Sequence, residues 1–335
     1  MICFAVCSLL LTARGQQRDT IVLYNGQILI GTVQSAIMGS ISIDDIDMKI
    51  INIKIYKIRI LKITEPFKIV TIGKKILYGT LNTSGREGWV DIRTGSDSTG
   101  SMPITNIFQL ISLTRNLWKR MNGNLTAGFS FTKSNNIGQM NFSAQVQLAS
   151  KLFNYQLSFA GIGSIDSGQF SSDNENLLFL TSYELTDSWF LAGGGQYQRN
   201  LELSLSHRYL GILGFGNKLF IRDNWRLLAS SGITFSQEKS TAGVYSGLLL
   251  DIPLMFQFNF YQFHHPDIQI SSNQTLYFSM SEAGRTRWDG STSFSWQLIR
   301  YFYLTISPYT NFDSKPPGNG SQFDYGLVVG ISYKF

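Results

Sequence analysis

The final 13 residues of the chain alternate without interruption between bulky apolar and small or polar side chains. Phe323, Tyr325, Leu327, Val329, Ile331, Tyr333 and Phe335 fall on one parity, and Asp324, Gly326, Val328, Gly330, Ser332 and Lys334 on the other. A period of two sends successive side chains to opposite faces of an extended strand, and a helix cannot reproduce it. Such a strand needs an apolar environment for one whole face.

The same texture recurs through the C-terminal two-thirds. Leu125, Ala127, Phe129 and Phe131 oppose Asn124, Thr126, Gly128 and Ser130. Thr292, Phe294, Trp296 and Leu298 oppose Ser291, Ser293, Ser295 and Gln297. Ile268, Ile270, Leu276, Phe278 and Met280 oppose Gln269, Ser271, Asn273, Thr275 and Ser279. The small-polar faces hold few charges, whereas a soluble sandwich turns charged faces to water and its large side chains to a shared core. Lipid outside and a lumen inside fit this pattern. A soluble secreted β-protein is the competing reading.

Composition agrees. The chain is 43% apolar and only 15% charged, yet its longest apolar candidate, Gly247 to Phe263, is broken by Asp251, Pro253, Gln257 and Asn259. A membrane helix needs about 20 consecutive apolar residues. An apolar chain without one can still cross a bilayer as a closed barrel.

Strands are expected near 122–132, 138–150, 155–165, 176–185, 189–199, 205–217, 225–237, 244–258, 267–280, 286–298, 302–313 and 323–335. Short connections at Lys151–Asn154, Thr186–Ser188 and Ile299–Tyr301 alternate with longer ones at Asp166–Glu175, Glu238–Gly243 and Ser314–Gln322. The longer loops would lie outside the cell. Trp118, Trp189, Trp225, Tyr301 and Tyr303 would form an aromatic girdle at the periplasmic end. Tyr333 and the terminal Phe335 resemble the C-terminal signal read by barrel-insertion machinery.

Residues 1–15 read as a signal peptide. Ile2 to Leu11 is apolar and Ala13-Arg14-Gly15 is a small-x-small ending, although no Lys or Arg precedes the apolar run. Cys3 and Cys7 both fall in this segment, so a mature chain would have no disulfide and no thiol chemistry. Residues 16–115 follow as a separate β-rich domain, with the barrel over 121–335.

That domain contains an internal repeat. Ile21-Val22 and Ile28 to Val33 match Ile69-Val70 and Ile76 to Leu81 at a constant offset of 48. Asn25-Gly26 and Gly73-Lys74 are turn signals between the matched pieces. Gly31 and Gly79 suggest bulges. Ile50 to Ile63 alternates Ile with Lys, Asn or Arg and reads as a half-buried strand. The expected unit is a duplicated, SH3-like curled sheet. Asp44, Asp45 and Asp47 read as a solvated turn, because calcium needs more oxygen ligands. The fold class is therefore all-β: a transmembrane antiparallel barrel of about twelve strands behind a small periplasmic domain.

Residues 18–120 carry 14 basic and 8 acidic side chains, whereas residues 121–335 carry 13 and 14. The basic excess of the N-terminal domain suits an anionic envelope polymer or lipid headgroups, or equally a solvated edge that resists aggregation. No zinc pattern or basic helix points to nucleic acid.

An enzymatic barrel would carry its catalytic signature on a strand face. A lipid hydrolase needs His-x-Ser, but His207 is followed by Arg208 and Tyr209. His264-His265 sits in a turn, and no Asp-x-His, phosphate loop or HExxH occurs. No catalytic residue, cofactor or metal is expected. Alternation instead turns Glu184, Arg226, Asp251, Arg287, Asp289, Asp324 and Lys334 into the lumen, either as internal ion pairs that plug it or as a pore lining. A non-enzymatic barrel, as a narrow pore or an envelope-structural protein, is the expectation. The alternative is an outer-membrane enzyme acting on envelope lipid or peptide.

Asp19, Leu23, Asn25-Gly26 and Gly31, then Asn124 to Thr132, Asp187 to Leu191 and Gly330 to Phe335, carry a family likeness. On these segments the chain resembles the YdiY-like salt-induced outer-membrane proteins, a domain family of unknown function. The resemblance spans almost the whole chain beyond residue 15. It implies location and architecture and names no substrate.

Overall fold

The computed structural model describes residues 18–37, 39–94, 97–114, 120–132, 137–166, 169–262, 267–299, 302–317 and 320–334. The expected signal peptide, Trp118, His264, His265, Tyr301, Phe335 and the side chain of Lys334 lie outside that description.

Two sheets make up the fold. The N-terminal one holds β1 (Asp19–Leu23), β2 (Ile28–Ile37), β3 (Ser40–Asp45), β4 (Lys49–Lys54), β5 (Ile58–Thr71), β6 (Ile76–Thr83), β7 (Trp89–Thr94), β8 (Asp97–Pro103) and β9 (Ile107–Ser112). The repeat seen in the sequence is a repeat in space. The start of β5 pairs with β1, Leu61 opposite Ile21. The end of β5 pairs with β9, Ile69 opposite Leu110. β5 thus closes the first copy and opens the second, and both copies pack onto one core that includes Ile21, Val33, Ile43, Leu61, Phe67 and Leu81.

Two local expectations change. Ile50 to Ile63 is not one strand: a 3-10 turn, Ile55–Lys57, divides it. The turn shifts the parity by one residue, so that Ile53, Ile55 and Ile58 all reach the core while the chain rounds a corner. Gly31 serves a close crossing and not a simple bulge, since any Cβ there would collide with the Asp44 carbonyl. Gly79 makes the same close approach to the Arg93 carbonyl, and there the expected irregularity is present, since the β5–β6 register shifts between Ile63↔Leu81 and Phe67↔Gly79. The β2–β3 register shift falls later, between Val33 and Ser35.

The barrel comprises β10 (Met121–Thr132), β11 (Ile137–Ala149), β12 (Phe153–Asp166), β13 (Gln169–Glu184), β14 (Trp189–Asn200), β15 (Leu205–Ile221), β16 (Trp225–Ser240), β17 (Leu249–Gln262), β18 (Ile268–Ser279), β19 (Thr286–Ile299), β20 (Phe302–Asp313) and β21 (Phe323–Lys334). Each pairs antiparallel with its sequence neighbour, and β21 returns to β10. The twelve-strand expectation holds strand for strand. Several far-end boundaries differ, because β13 begins at Gln169 and β16 runs to Ser240, both inside expected loops. Beyond the apolar belt a hairpin needs no greasy outer face, so the ladder continues after the hydrophobic alternation has stopped. β17 starts at Leu249, leaving Val244 and Tyr245 exposed in a loop.

Outward parity carries Leu213, Phe215, Tyr325 and Leu327, all exposed. Aromatic rings gather outside at both ends. At the end nearer the N-terminal domain, Phe153 and Tyr183 lie 5.1 Å apart and Trp189 and Phe215 6.2 Å apart. At the far end, Tyr197 and Tyr209 lie 5.5 Å apart, as do Phe312 and Phe323. Tyr303 departs from the expected girdle. It pairs with inward Ser332 and is buried, so it belongs to the lumen.

Asp19 fastens the start of the N-terminal domain. Its carboxylate accepts from the Val33 amide at 2.8 Å, the Thr64 amide at 2.8 Å and the Thr64 hydroxyl at 2.9 Å. Asp19→Ala strands these donors and should cost about 3 kcal/mol, read as an earlier denaturant midpoint for this domain.

Candidate functional site

The lumen is lined in layers. At the far end Arg208, Glu238, Arg285, Asp313, Arg287 and Asp251 are all buried. Arg208 donates through Nε to Glu238 at 2.7 Å and through Nη1 to the Gln198 amide oxygen at 3.0 Å. It also lies 3.3 Å from Asp313. Arg285 clamps the same two acids, donating to Asp313 Oδ1 at 3.0 Å and to Glu238 Oε2 at 2.9 Å. Its Nη1 reaches Glu282 at the rim, 3.0 Å away. Arg287 pairs with Asp251 and lies over the Tyr277 ring, 4.4 Å from its centroid. Three guanidinium groups face three buried carboxylates here, so the burial of each charge is compensated.

Beside them, Gln198 donates to Asp289 at 2.8 Å, and Asn200 donates to Asp324 at 2.6 Å. A cavity of about 20 Å³ lies among Asn174, Gln198, Arg208, Asp289 and Asn311, room for a single water. Below comes an apolar layer of Leu178, Leu180, Leu210, Ile212 and Tyr277. A hydroxyl chain follows, in which Ser332 lies 2.7 Å from Thr126 and Thr305 lies 3.1 Å from Ser295. Arg226 donates to Asn259 at 2.8 Å, and Asn259 to Ser271 at 2.8 Å.

The near mouth is met by the N-terminal domain. Lys68 of β5 is fully buried, with its ammonium 2.6 Å from Glu184 of β13. Lys218 reaches the other oxygen of Glu184 at 3.1 Å. Around this triad, the Ile76 amide donates to Asp187 at 3.2 Å, Lys54 pairs with Asp267, and Lys151 lies 5.2 Å from the Tyr78 ring centroid. Val70 and Phe108 of the domain pack with Ile221 of the barrel, joined by Tyr261. Burial pushes the Lys68 ammonium below its usual 10.5, against the opposing pull of Glu184. Burial raises the Tyr78 phenol, with Glu184 and Asp187 adding to the shift.

Of the residues picked from sequence, Glu184, Arg226, Asp251, Arg287, Asp289 and Asp324 all have inward partners. Only Asp251 and Arg287 are paired with each other. Glu184 stands at the opposite end of the barrel from that pair. Arg208, Lys218, Glu238, Arg285 and Asp313 were missed. Parity alone would have found Arg208 and Asp313. Glu238, Arg285 and Lys218 fell just past the expected strand ends. Lys68 could not be found, because nothing in its own strand signals a partner in the barrel. His207 lies outside the wall, its ring 5.5 Å from Tyr209 and 6.1 Å from Tyr245.

Residues 125–335 match DUF481, described as a family of proteins of unknown function. The chain belongs to the DUF481 family. The matched stretch covers the barrel from Leu125 onward and leaves the N-terminal domain outside it. No curated protein matches this DUF481 chain. Among solved structures it is similar to a bacterial polysaccharide outer membrane secretin, at 9% identity and a TM-score of 0.33, covering 64% of this chain and 97% of that one. It is also similar to the siderophore receptor PirA from Pseudomonas aeruginosa, at 11% identity and a TM-score of 0.29, covering 66% and 43%. The β domain of the Bordetella autotransporter BrkA matches at 9% identity and a TM-score of 0.31, covering 64% and 97%.

The DUF481 lumen predicts unequal mutational costs. Glu184→Ala leaves buried Lys68 and half-buried Lys218 without their shared anion and should destabilise the docked form by about 3–5 kcal/mol. Lys68→Met removes a costly buried charge while Lys218 still serves Glu184, and should be close to neutral. Thermal unfolding of the two variants in detergent measures the difference. The sign of the Lys68 shift carries a pH dependence: between its lowered value and 10.5 the docked form binds fewer protons than a separated one, so docking strengthens as pH rises through that window. At the far end, Arg285→Ala should cost about 3–5 kcal/mol, since Glu238 and Asp313 then share Arg208 alone, and the same melting assay reads it.

Proposed function

We propose that this DUF481 protein is a non-enzymatic, envelope-structural barrel of the outer membrane, with its N-terminal domain in the periplasm closing the near mouth. The observation that carries the proposal is the pair of charge layers that cross the lumen near its two ends. A compensated Arg–carboxylate layer seals the far end, and the Lys68–Glu184–Lys218 triad, with Lys68 fully buried, seals the other. The outward apolar belt between two sets of aromatic rings supports a place in lipid.

The finer expectations belong to the same proposal. Residues 1–15 serve as the signal peptide, and Tyr333 with Phe335 as the segment read by the insertion machinery. The chain stands with the YdiY-like salt-induced proteins. Its direct partner is outer-membrane lipid. The basic excess over residues 18–120 makes an anionic envelope polymer the candidate partner of the N-terminal domain.

Planar-bilayer recording of the purified full chain tests the proposal. A closed barrel gives no steady current. Reproducible ohmic single-channel steps from the unmodified protein would overturn it in favour of a narrow pore.

A further inference from the structure

The barrel wall is not closed to the same extent everywhere. The β10–β11 ladder runs unbroken from Met121↔Leu148 to Thr132↔Ile137. The β20–β21 ladder runs from Phe302↔Tyr333 to Phe312↔Phe323. The closing ladder between β10 and β21 holds only four pairs, from Asn124↔Lys334 to Ala127↔Ile331. Continued in the same register, Ser130 would face Val328 and Thr132 would face Gly326. Among the described residues no pair beyond Ala127↔Ile331 forms. The two backbones still approach one step further on, where a Cβ on Gly128 would lie 2.7 Å from the Val329 carbonyl.

The far half of the seam therefore presents two strand edges without a ladder between them, Phe129–Thr132 and Gly326–Val329. Hydrocarbon cannot hydrogen-bond such edges, and open edges facing lipid are not tolerated unless a polar cavity or a partner meets them. Both sides of the seam are furnished for a molecule with two characters. Outside stand Phe129, Leu327 and Tyr325, the last 75% exposed. Inside, Gly128, Gly326 and Gly330 contribute no side chain; the Tyr309 ring lies over Gly326, and Asn141, opposite Gly128, lies over that glycine. The Asn141 Oδ1 is buried and accepts no hydrogen bond among the described residues. An acceptor in that position calls for a donor.

We infer that the β10–β21 seam is a lateral opening from the lumen to the outer half of the bilayer, occupied by an amphiphilic lipid. The acyl chain lies along Phe129, Leu327 and Tyr325. The head enters between the strands, its phosphate or ester oxygens accepting from seam amides and its amine or hydroxyl donating to Asn141. This rests on the membrane location proposed above.

The full chain carrying Cys3→Ser and Cys7→Ser, with and without Ser130→Cys plus Val328→Cys, is reconstituted with phosphatidylethanolamine, extracted in detergent and weighed by native mass spectrometry. The opening predicts retained phosphatidylethanolamine that is lost when the cysteine pair is oxidised and regained on reduction. Asn141→Leu, with no cysteine pair, serves as the second variant if the pair does not oxidise, and should lower retention about tenfold, the worth of one charge-assisted hydrogen bond. Retention unchanged by seam closure and by Asn141→Leu, or no retained lipid in the unmodified chain, overturns the opening. A chain recovered in buffer without detergent overturns the membrane location itself, and is thereby told apart from failure of the seam.

Discussion

Closure of the antiparallel ladder is the constraint on which the barrel depends. A sheet that turns one face to hydrocarbon can offer its edge amides and carbonyls no water, so its first strand must find its last. β10 and β21 meet through Asn124–Ala127 and Ile331–Lys334. This junction joins residues some 200 positions apart, and loop-closure entropy opposes it until the intervening hairpins are in place. The intervening strands each pair with a sequence neighbour, so most of the wall is local hairpins and only the seam is remote.

The interior is governed by a different balance. Burying a charge is expensive and is tolerated when geometry supplies an opposite charge and satisfied hydrogen bonds. The far layer achieves this with Arg208 and Arg285 shared between Glu238 and Asp313, and Arg287 set against Asp251. The apolar layer beneath it, around Leu210 and Tyr277, runs against the rule that inward faces are small and polar. The near mouth relies on a second domain, and Glu184 is the single anion through which β5 of that domain and β15 of the barrel are joined.

The N-terminal domain shows how duplication is reused. Two copies of one strand–turn–strand pattern share β5, and each needs a glycine, Gly31 or Gly79, where a neighbouring carbonyl crosses. The copies are not equivalent. Asp19 opens the first with a carboxylate that gathers three donors, whereas buried Phe67 holds the corresponding place in the second. Most of the contacts with the barrel come from the second copy, through Lys68, Val70, Ile76 and Phe108, while Lys54 of the first copy reaches Asp267. A duplicated fold has thus acquired a docking face drawn mainly from one copy.

By itself the amino-acid order determined the strands, their faces and their number, because a period of two is written residue by residue and needs no partner to be read. It placed Glu184, Asp251 and Arg287 inside for the same reason. It lost Glu238, Arg285 and Lys218 where the ladder outran the hydrophobic alternation. It misplaced Tyr303, assigned to a girdle by closeness to an end and turned inward by pairing with Ser332. Which inward charge meets which was decided only when twelve strands curled round a common axis and brought β15, β16, β19 and β20 within hydrogen-bond reach. The seating of Lys68 on Glu184, and the short seam between β10 and β21, likewise exist only in three dimensions. Both join residues far apart in sequence, and no local pattern encodes a contact between them.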